Sequence, residues 1–495
     1  MPRGILWMHR RWLFACALIA LVVVPSLTGL TAVLTEAATP VAAKAQPFTV
    51  IPFQTNSPIA LENQQPGTTD WELDPGVSTI FIQGYAGMVS ALPGQVVPLY
   101  ISSVIPVDYG LAVYRIGWYG GLGGRLMFAV THLHSQAQGV WLQKLGLIGC
   151  ASCTTDPTTH LVDAHWNVSY RLPIGADWAS GVYLIKLSVG QFAESYIPLV
   201  VRAATSRAAV LMDIPVNTYQ AYNLWGGYSL YQHINHVLRD EQSDSDRATQ
   251  ISFNRPYVRS AGAGDFLLWD IHNVRWLERS DIDVTYTTSV DVARDPRQLL
   301  YHHVYLASGH DEYWTKSMRD GIEYARDHGI NLAFLGANDS YWQARLAPDA
   351  AGHPNRTLVC YKVLSHPFNS SEDLINDPMY PSHPESVTTM WRDPLLHRPE
   401  NSLLGLMYSS YFSGDGRYIP DMVITKSSVL DQLAVTAGLT SGEHLGGGVL
   451  GYEYDSLWKN GHTPHGLVVL AESPVVNTYH ETQMAYTAYY RAPSG

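Results

Sequence analysis

Charge is scarce in this chain. Asp, Glu, Lys and Arg make up 15% of its 495 residues, with a net balance of −12. After the first residues there is no dense Lys/Arg run, so the basic footprint that nucleic-acid phosphates demand is missing. Cysteine is scarcer still, at four. Cys16 lies in an N-terminal apolar run, which leaves Cys150, Cys153 and Cys360. No second Cys pair completes a zinc site around "CASC", and no thioredoxin-like βαβ context follows it. A local disulfide between Cys150 and Cys153, clipping a loop of an exported protein, is the expected pairing, with Cys360 buried. A second long apolar run, a Gly-x-Ser-x-Gly elbow and paired histidines on one helical face are all absent as well. These absences argue against a polytopic membrane protein, a serine hydrolase of the elbow type and a zincin-type metal site.

Aromatic residues are plentiful, with 30 Tyr and 14 Trp. The chain begins with Arg3, His9, Arg10 and Arg11 ahead of an apolar run from Trp12 to about residue 34. Ala43-Lys44-Ala45 follows as a small-x-small site, so residues 1–45 read as a signal peptide or an N-terminal membrane anchor. Either reading places the bulk outside the cytoplasm, secreted or held at the outer face of the cytoplasmic membrane.

Residues 46–203 read as all-β. "STIFIQGYAGMVS", "GLAVYRIGWYGG" and "GVYLIKLSV" are short β-branched and aromatic runs between Gly, Pro, Asp and Asn turns, the pattern of an immunoglobulin-like β-sandwich. After the small-residue linker "AATSRA" the texture changes. "AAVLMDIPV", "RQLLYHHVYLASG" and "GINLAFLGAND" are continuous apolar runs suited to buried parallel strands. A helix is expected from about Tyr313 to His328. Residues 204–495 therefore read as a three-layer α/β domain, and the whole chain as an α+β multidomain protein.

In open α/β sheets, ligands gather at the carboxyl ends of the strands. Here those ends carry polar chemistry: Tyr219, Tyr222 and Asn223 in "NTYQAYNLWGGYSLY", His310 to Tyr313 in "SGHDEYW", and Asn338, Asp339 and Tyr341 in "GANDSYW". Glu453 in "GYEYDS" adds a late carboxylate. Alternation along a strand would put His310 and Glu312 on one side. Carboxylate and phenolate oxygens suit hard cations, and a phenolate ligand calls for a strongly charged one such as ferric iron. Bland readings stand beside this. Tyr222 can pack under a loop, Glu312 can cap the helix behind it, and His310 can be a satisfied core histidine.

These motifs, in this order, resemble the large (β) subunit of N,N-dimethylformamidase and its relatives. "YRIGWYGGLGGR", "DWASGVYLIKL" and "RPENSLLGLMY" extend the resemblance over most of the mature chain. The resemblance implies an immunoglobulin-like domain followed by a domain like the class I glutamine amidotransferases. It implies one mononuclear Fe(III) held by two tyrosinates and a glutamate, which is Glu312. It places one tyrosine in "TYQAY", at Tyr222 rather than Tyr219, and the other upstream at Tyr183. His310, Asn338 and Glu453 are the implied catalytic residues. Asp311, Tyr313, Tyr341 and Trp342 are expected to touch substrate, with Trp225 and Trp314 completing an aromatic wall. The implied activity is hydrolysis of a small linear amide C–N bond. A second copy of the chain, or a small-subunit partner, is compatible with one chain's sequence. The competing reading is a secreted, non-catalytic protein on the same fold that binds carbohydrate or a cell surface.

Overall fold

The computed structural model describes residues 57–235, 240–243, 247–363, 377–411, 421–427, 438–446 and 449–494. The expected leader, 1–45, lies outside the described residues. Among the described residues no helix is long and apolar enough to cross a membrane. The protein is mixed α/β, mostly strand, with several sheets.

The N-terminal part holds two facing sheets. The smaller has three strands: Ile82–Ala86, Val96–Ser103 and Tyr170–Pro173. The larger has five, with Gly181–Val189 at its centre, paired to Ala193–Val201 on one side and Asp108–Ile116 on the other. Strand Gly181–Val189 is buried on both faces, and its alternation decides where each side chain goes. Tyr183, Ile185 and Leu187 point into the core shared by the two sheets. Val182 and Leu184 point the other way, into the large core of the following part. The strand is otherwise apolar there, and the charge it does bury, Lys186, is paired with Glu194 at 3.0 Å.

The second part is built on four strands: Val284–Thr288, Val210–Ile214, Val304–Ala307 and Asn331–Phe334, in that spatial order. All their pairings are parallel, so their carboxyl ends share one edge. The segments after Ile214, Ala307 and Phe334 leave from that edge and carry the polar motifs. The helix after the third strand runs Lys316–Asp327, not from Tyr313. Thr315 is its N-cap, accepting from Met318 N, and Tyr313–Thr315 stays extended to pair with Trp342–Ala344. Glu312 therefore does not cap this helix. Further on, Glu453–Ser456 pairs antiparallel with Met407–Tyr411.

The two parts are pinned by a fully buried ion pair. Arg115, in strand Asp108–Ile116, sets its Nη2 2.7 Å from Glu278 Oε1, and Tyr286 donates to the same carboxylate at 2.8 Å. Such a pair survives burial only because the charge is hydrogen-bonded all round: Ser180 O accepts from Arg115 Nε and Nη2, and Nη1 donates to Glu278 Oε2 and the Tyr119 hydroxyl. The loop clip expected from the sequence is present as a Cys150–Cys153 disulfide, and Cys360 is a buried free thiol.

Candidate metal centre

Glu312 sits just past the third parallel strand. Its backbone N–H donates to Thr218 Oγ1 at 3.0 Å, tying it to helix Val216–Ala221. Its carbonyl accepts from Tyr341 N at 2.9 Å and Trp342 N at 3.0 Å. The glutamate is thus fixed from two sides before its side chain touches anything, and that side chain is 2% exposed.

Two phenols meet its carboxylate. Tyr222, the C-cap residue of helix Val216–Ala221, donates its hydroxyl to Oε2 at 2.7 Å. Tyr231 donates to Oε1. The two rings stack on each other, centroids 4.6 Å apart. Their segment folds back through the turn Trp225–Gly227, and Leu230 N donates to Ala221 O at 3.0 Å, closing the turn at its two ends. Trp342 Nε1 donates to the Tyr231 hydroxyl at 3.2 Å. Lys362 Nζ lies 3.1 Å from the centroid of the Tyr231 ring, a close cation–π contact.

On the other side stands a proton-handling pair. His310 Nε2 is 3.0 Å from Glu453 Oε2 and 3.8 Å from Glu312 Oε2. Asn338 donates from Nδ2 to Glu453 Oε1 at 3.3 Å, and its backbone N–H donates to Asp455 Oδ1 at 2.9 Å. Asn338 has φ +62°, a left-handed conformation that directs its amide at Glu453. Its Oδ1 is buried with no hydrogen-bond partner. His310 and Glu453 also line a cavity of about 670 Å³ that runs along the edge strand Asn331–Phe334 toward the C-terminal strands.

The electrostatics follow from burial. Desolvation, then the Glu312 charge, hold both phenols well above their ordinary pKa. Burial also raises Glu312, against the lowering influence of His310 and Lys362. For His310, burial opposes the charged ring, but the contacts with Glu453 and Glu312 outweigh it and push its pKa up to about 9. Beneath lies a set of buried acids. Burial pushes Asp311 and Asp455 up to about 7 and Asp270 up to about 8.

Two phenol oxygens and two carboxylate oxygens therefore converge, all hard donors. Among the described residues no group of three His, Cys, Asp and Glu side chains could hold a metal, so the phenols are essential to any donor set here. Each phenol oxygen is in hydrogen-bond contact with a different oxygen of the Glu312 carboxylate. An ion there would displace the phenolic protons that now bridge to Glu312. The residues present fit a ferric ion on these grounds.

Several expected site residues fall elsewhere. Tyr183 is not brought to the cluster. It lies in the core between the two N-terminal sheets, stacked on Trp178 at 5.0 Å, with its hydroxyl donating to Ala179 O at 2.7 Å. Strand parity is the reason: Tyr183 faces the sandwich interior, and its neighbours face the α/β core. Tyr231 takes the place beside Tyr222. Tyr219 also misses the cluster, donating instead to Asp270. Trp314 is fully buried in the core around helix Lys316–Asp327, and Trp225 in one shared with the N-terminal part, so neither forms a wall. Asp311 and Tyr313 are fully enclosed, whereas Tyr341 is half-buried and Trp342 reaches the cluster through its indole N–H. Tyr231 and Lys362 were not anticipated. The signal for Tyr231 was Gly226-Gly227, both at positive φ, which turns the chain back on itself.

The fold and site together define a class: a β-sandwich joined to a parallel α/β unit whose strand ends gather two phenols, a glutamate and a His–Glu pair. Residues 110–495 match the family described as N,N-dimethylformamidase beta subunit-like, C-terminal, and the chain belongs to that family. The match begins inside strand Asp108–Ile116, so it takes in much of the five-stranded sheet. A comparison with curated proteins gives no match. Among solved structures, a Paenibacillus sp. cycloisomaltooligosaccharide glucanotransferase complexed with cycloisomaltoheptaose is 8% identical. The likeness covers 53% of this chain and 28% of that one at a TM-score of 0.16, too low to bear on the fold.

Proposed function

We propose that this chain is an exported amidohydrolase that cleaves a linear amide C–N bond at a mononuclear Fe(III) held by Tyr222, Tyr231 and Glu312. The single observation that carries this reading is the convergence of both phenol hydroxyls on the two oxygens of one buried carboxylate. In this reading the N-terminal sandwich is immunoglobulin-like and the α/β unit is a relative of the class I amidotransferases that works without their cysteine.

A bound ferric ion supplies Lewis acidity toward a carbonyl or a water. The chain's own residues do the rest. Tyr222, Tyr231 and Glu312 provide three anionic oxygens. Glu453, aimed by Asn338, takes the proton of the attacking water, and His310 beside it carries that proton to the leaving amine. Asn338 orients the amide substrate or its oxyanion. Trp342, its indole N–H on the Tyr231 hydroxyl, and Tyr341 beside it help exclude water from the phenol pair. The partner of the reaction is a small-molecule amide. Assembly with a second copy or with a small subunit is compatible with the family's description as a beta subunit.

The test is iron content and the visible spectrum of the purified soluble part, followed by an amide screen. Near-stoichiometric iron with a broad tyrosinate band, and amine release from at least one amide, is the expected result. A colourless protein that takes up no ferric iron would leave carbohydrate or cell-surface binding on the same fold as the better reading.

A further inference from the structure

The N-terminal sandwich touches the turn between the two phenols, and its role there is assigned by no comparison. The turn is the stretch 223–230. From the α/β side, the fully buried Arg255 donates to three of its carbonyls: Trp225 O at 2.7 Å, Asn223 O at 2.8 Å and Tyr228 O at 3.1 Å. From the sandwich side, Gln83 of strand Ile82–Ala86 accepts from Trp225 Nε1 at 2.8 Å. Gln83 is itself fixed, accepting from Trp141 N at 3.1 Å and donating to Trp141 O at 2.9 Å. Trp166 meets the Trp225 ring edge-on at 5.7 Å. Val162 lies so close to Gly226 that a Cβ there would come within 2.5 Å of its Cγ1, at a backbone φ of +82° that also favours glycine.

We propose that the sandwich is a positioning module for the two-phenol centre. Gln83, with Val162 and Trp166, holds the Trp225 turn from outside the α/β unit and so sets how Tyr222 and Tyr231 meet Glu312. Gln83 is a positioning residue that reaches the site only through Trp225. The chemistry supports this division. A buried indole N–H gains from an acceptor, and among the described residues the one Trp225 Nε1 meets is Gln83 Oε1 of the sandwich, so the turn held from inside by Arg255 is fixed from outside as well. The outer partners of metal ligands commonly govern affinity by about 10–100-fold.

This inference rests on the two-phenol reading, and the experiment separates the two. In the full-length protein, Gln83→Leu removes the acceptor, and Trp225→Phe removes the donor while keeping an aromatic ring. Tyr183→Phe is the control, since it perturbs the sandwich core away from the turn. Amide hydrogen exchange resolved at residues 221–231 is read first, then ferric-iron affinity and the visible band. The expected result for Gln83→Leu and Trp225→Phe is faster exchange confined to 221–231 and about tenfold or greater weakening of iron binding. Tyr183→Phe should change neither. Wild-type exchange at 221–231 in both Gln83→Leu and Trp225→Phe would overturn the proposal. So would loss of protection spread evenly along the chain. If even the wild type binds no iron, the two-phenol reading falls, and the exchange pattern still decides whether the sandwich positions the turn. If Gln83→Leu does not fold, Trp225→Phe carries the decision.

Discussion

Tyr183 and the pair Tyr222 and Tyr231 are the same residue in two kinds of place. Tyr183 is buried in the sandwich, stacked on Trp178, with its hydroxyl given to a backbone carbonyl. Tyr222 and Tyr231 are packed against each other, with both hydroxyls given to one carboxylate. Burial raises the pKa of all three. What separates them is the acceptor. A carbonyl satisfies a phenol and ends its chemistry, whereas a carboxylate flanked by two phenols makes an oxygen cage that a hard cation can enter. The same contrast runs through the two parts of the molecule. The core between the two N-terminal sheets is apolar, and of the charges that part buries, Arg115, Lys186 and Glu194 are ion-paired. The α/β unit buries Asp213, Asp270, Asp311, Asp339 and Glu312 near its strand ends, a costly arrangement that persists where function requires it.

The largest expected effect breaks the cage at its centre. Glu312→Ala should abolish stoichiometric iron and the visible band together; a coloured, iron-bearing variant would remove the basis of the contrast. Next comes Glu453→Gln, which should keep iron and colour and lower amide hydrolysis by about 10²–10⁴-fold, the usual contribution of a positioned acid–base group. Full turnover in that variant would take Glu453 out of the mechanism. Tyr222→Phe and Tyr231→Phe should each weaken iron binding by more than the roughly 10–100-fold typical of outer partners, and should shift or bleach the band. If only one of them does so, the cage has a single phenolate.

The buried acids sharpen the contrast between the two parts by pH. Asp270 has a folded pKa pushed up to about 8, by burial first. The folded state therefore binds its proton more tightly than the unfolded chain does. That stability is fully present below the ordinary carboxyl range and is lost as pH rises through about 8. Melting temperature should accordingly fall between pH 5 and pH 8 on this account, and Asp270→Asn should flatten the slope. An unchanged slope in the variant would move the effect to other acids.

Much of this was legible in the sequence, for identifiable reasons. Continuous apolar runs mark parallel strands because both faces are covered, and parallel strands share one end, so the convergence of "SGHDEYW", "GANDSYW" and "NTYQAYN" followed from pattern alone. Glu312, His310, Asn338 and Glu453 are brought together accordingly. The second phenol was not legible by the same route. Tyr183 sits in a strand whose two faces are both buried, so hydrophobic alternation could not say which core it entered. Tyr231 depends on a turn held partly by another domain, and no local signal in "GGYSLYQ" reports Gln83. The start of the helix at Lys316 was missed because Thr315 outcompetes Glu312 as a cap, and Tyr313–Thr315 gains a parallel strand partner instead.

The smallest expected effect is also the cleanest check on the contrast. Tyr183→Phe removes one hydroxyl and its bond to Ala179 O, leaving ring, stacking and volume in place. A single neutral hydrogen bond in a folded core contributes about 1 kcal/mol. Denaturant unfolding should therefore show a loss of roughly that size with an unchanged slope, while iron content, colour and amide hydrolysis stay at wild-type values. Loss of iron in this variant, with stability nearly intact, would mean that Tyr183 reaches the metal in solution. The strand parity that turns it inward would then have to be wrong for the whole of Gly181–Val189. Since Val182 and Leu184 on the opposite face seal the α/β core, such a reversal could not be confined to one residue. It would turn Val182 and Leu184 out of that core in the wild type as well. The two readouts together therefore decide the assignment: a small stability change with the metal untouched keeps Tyr183 in the sandwich core, and iron loss with stability nearly intact takes it out of there.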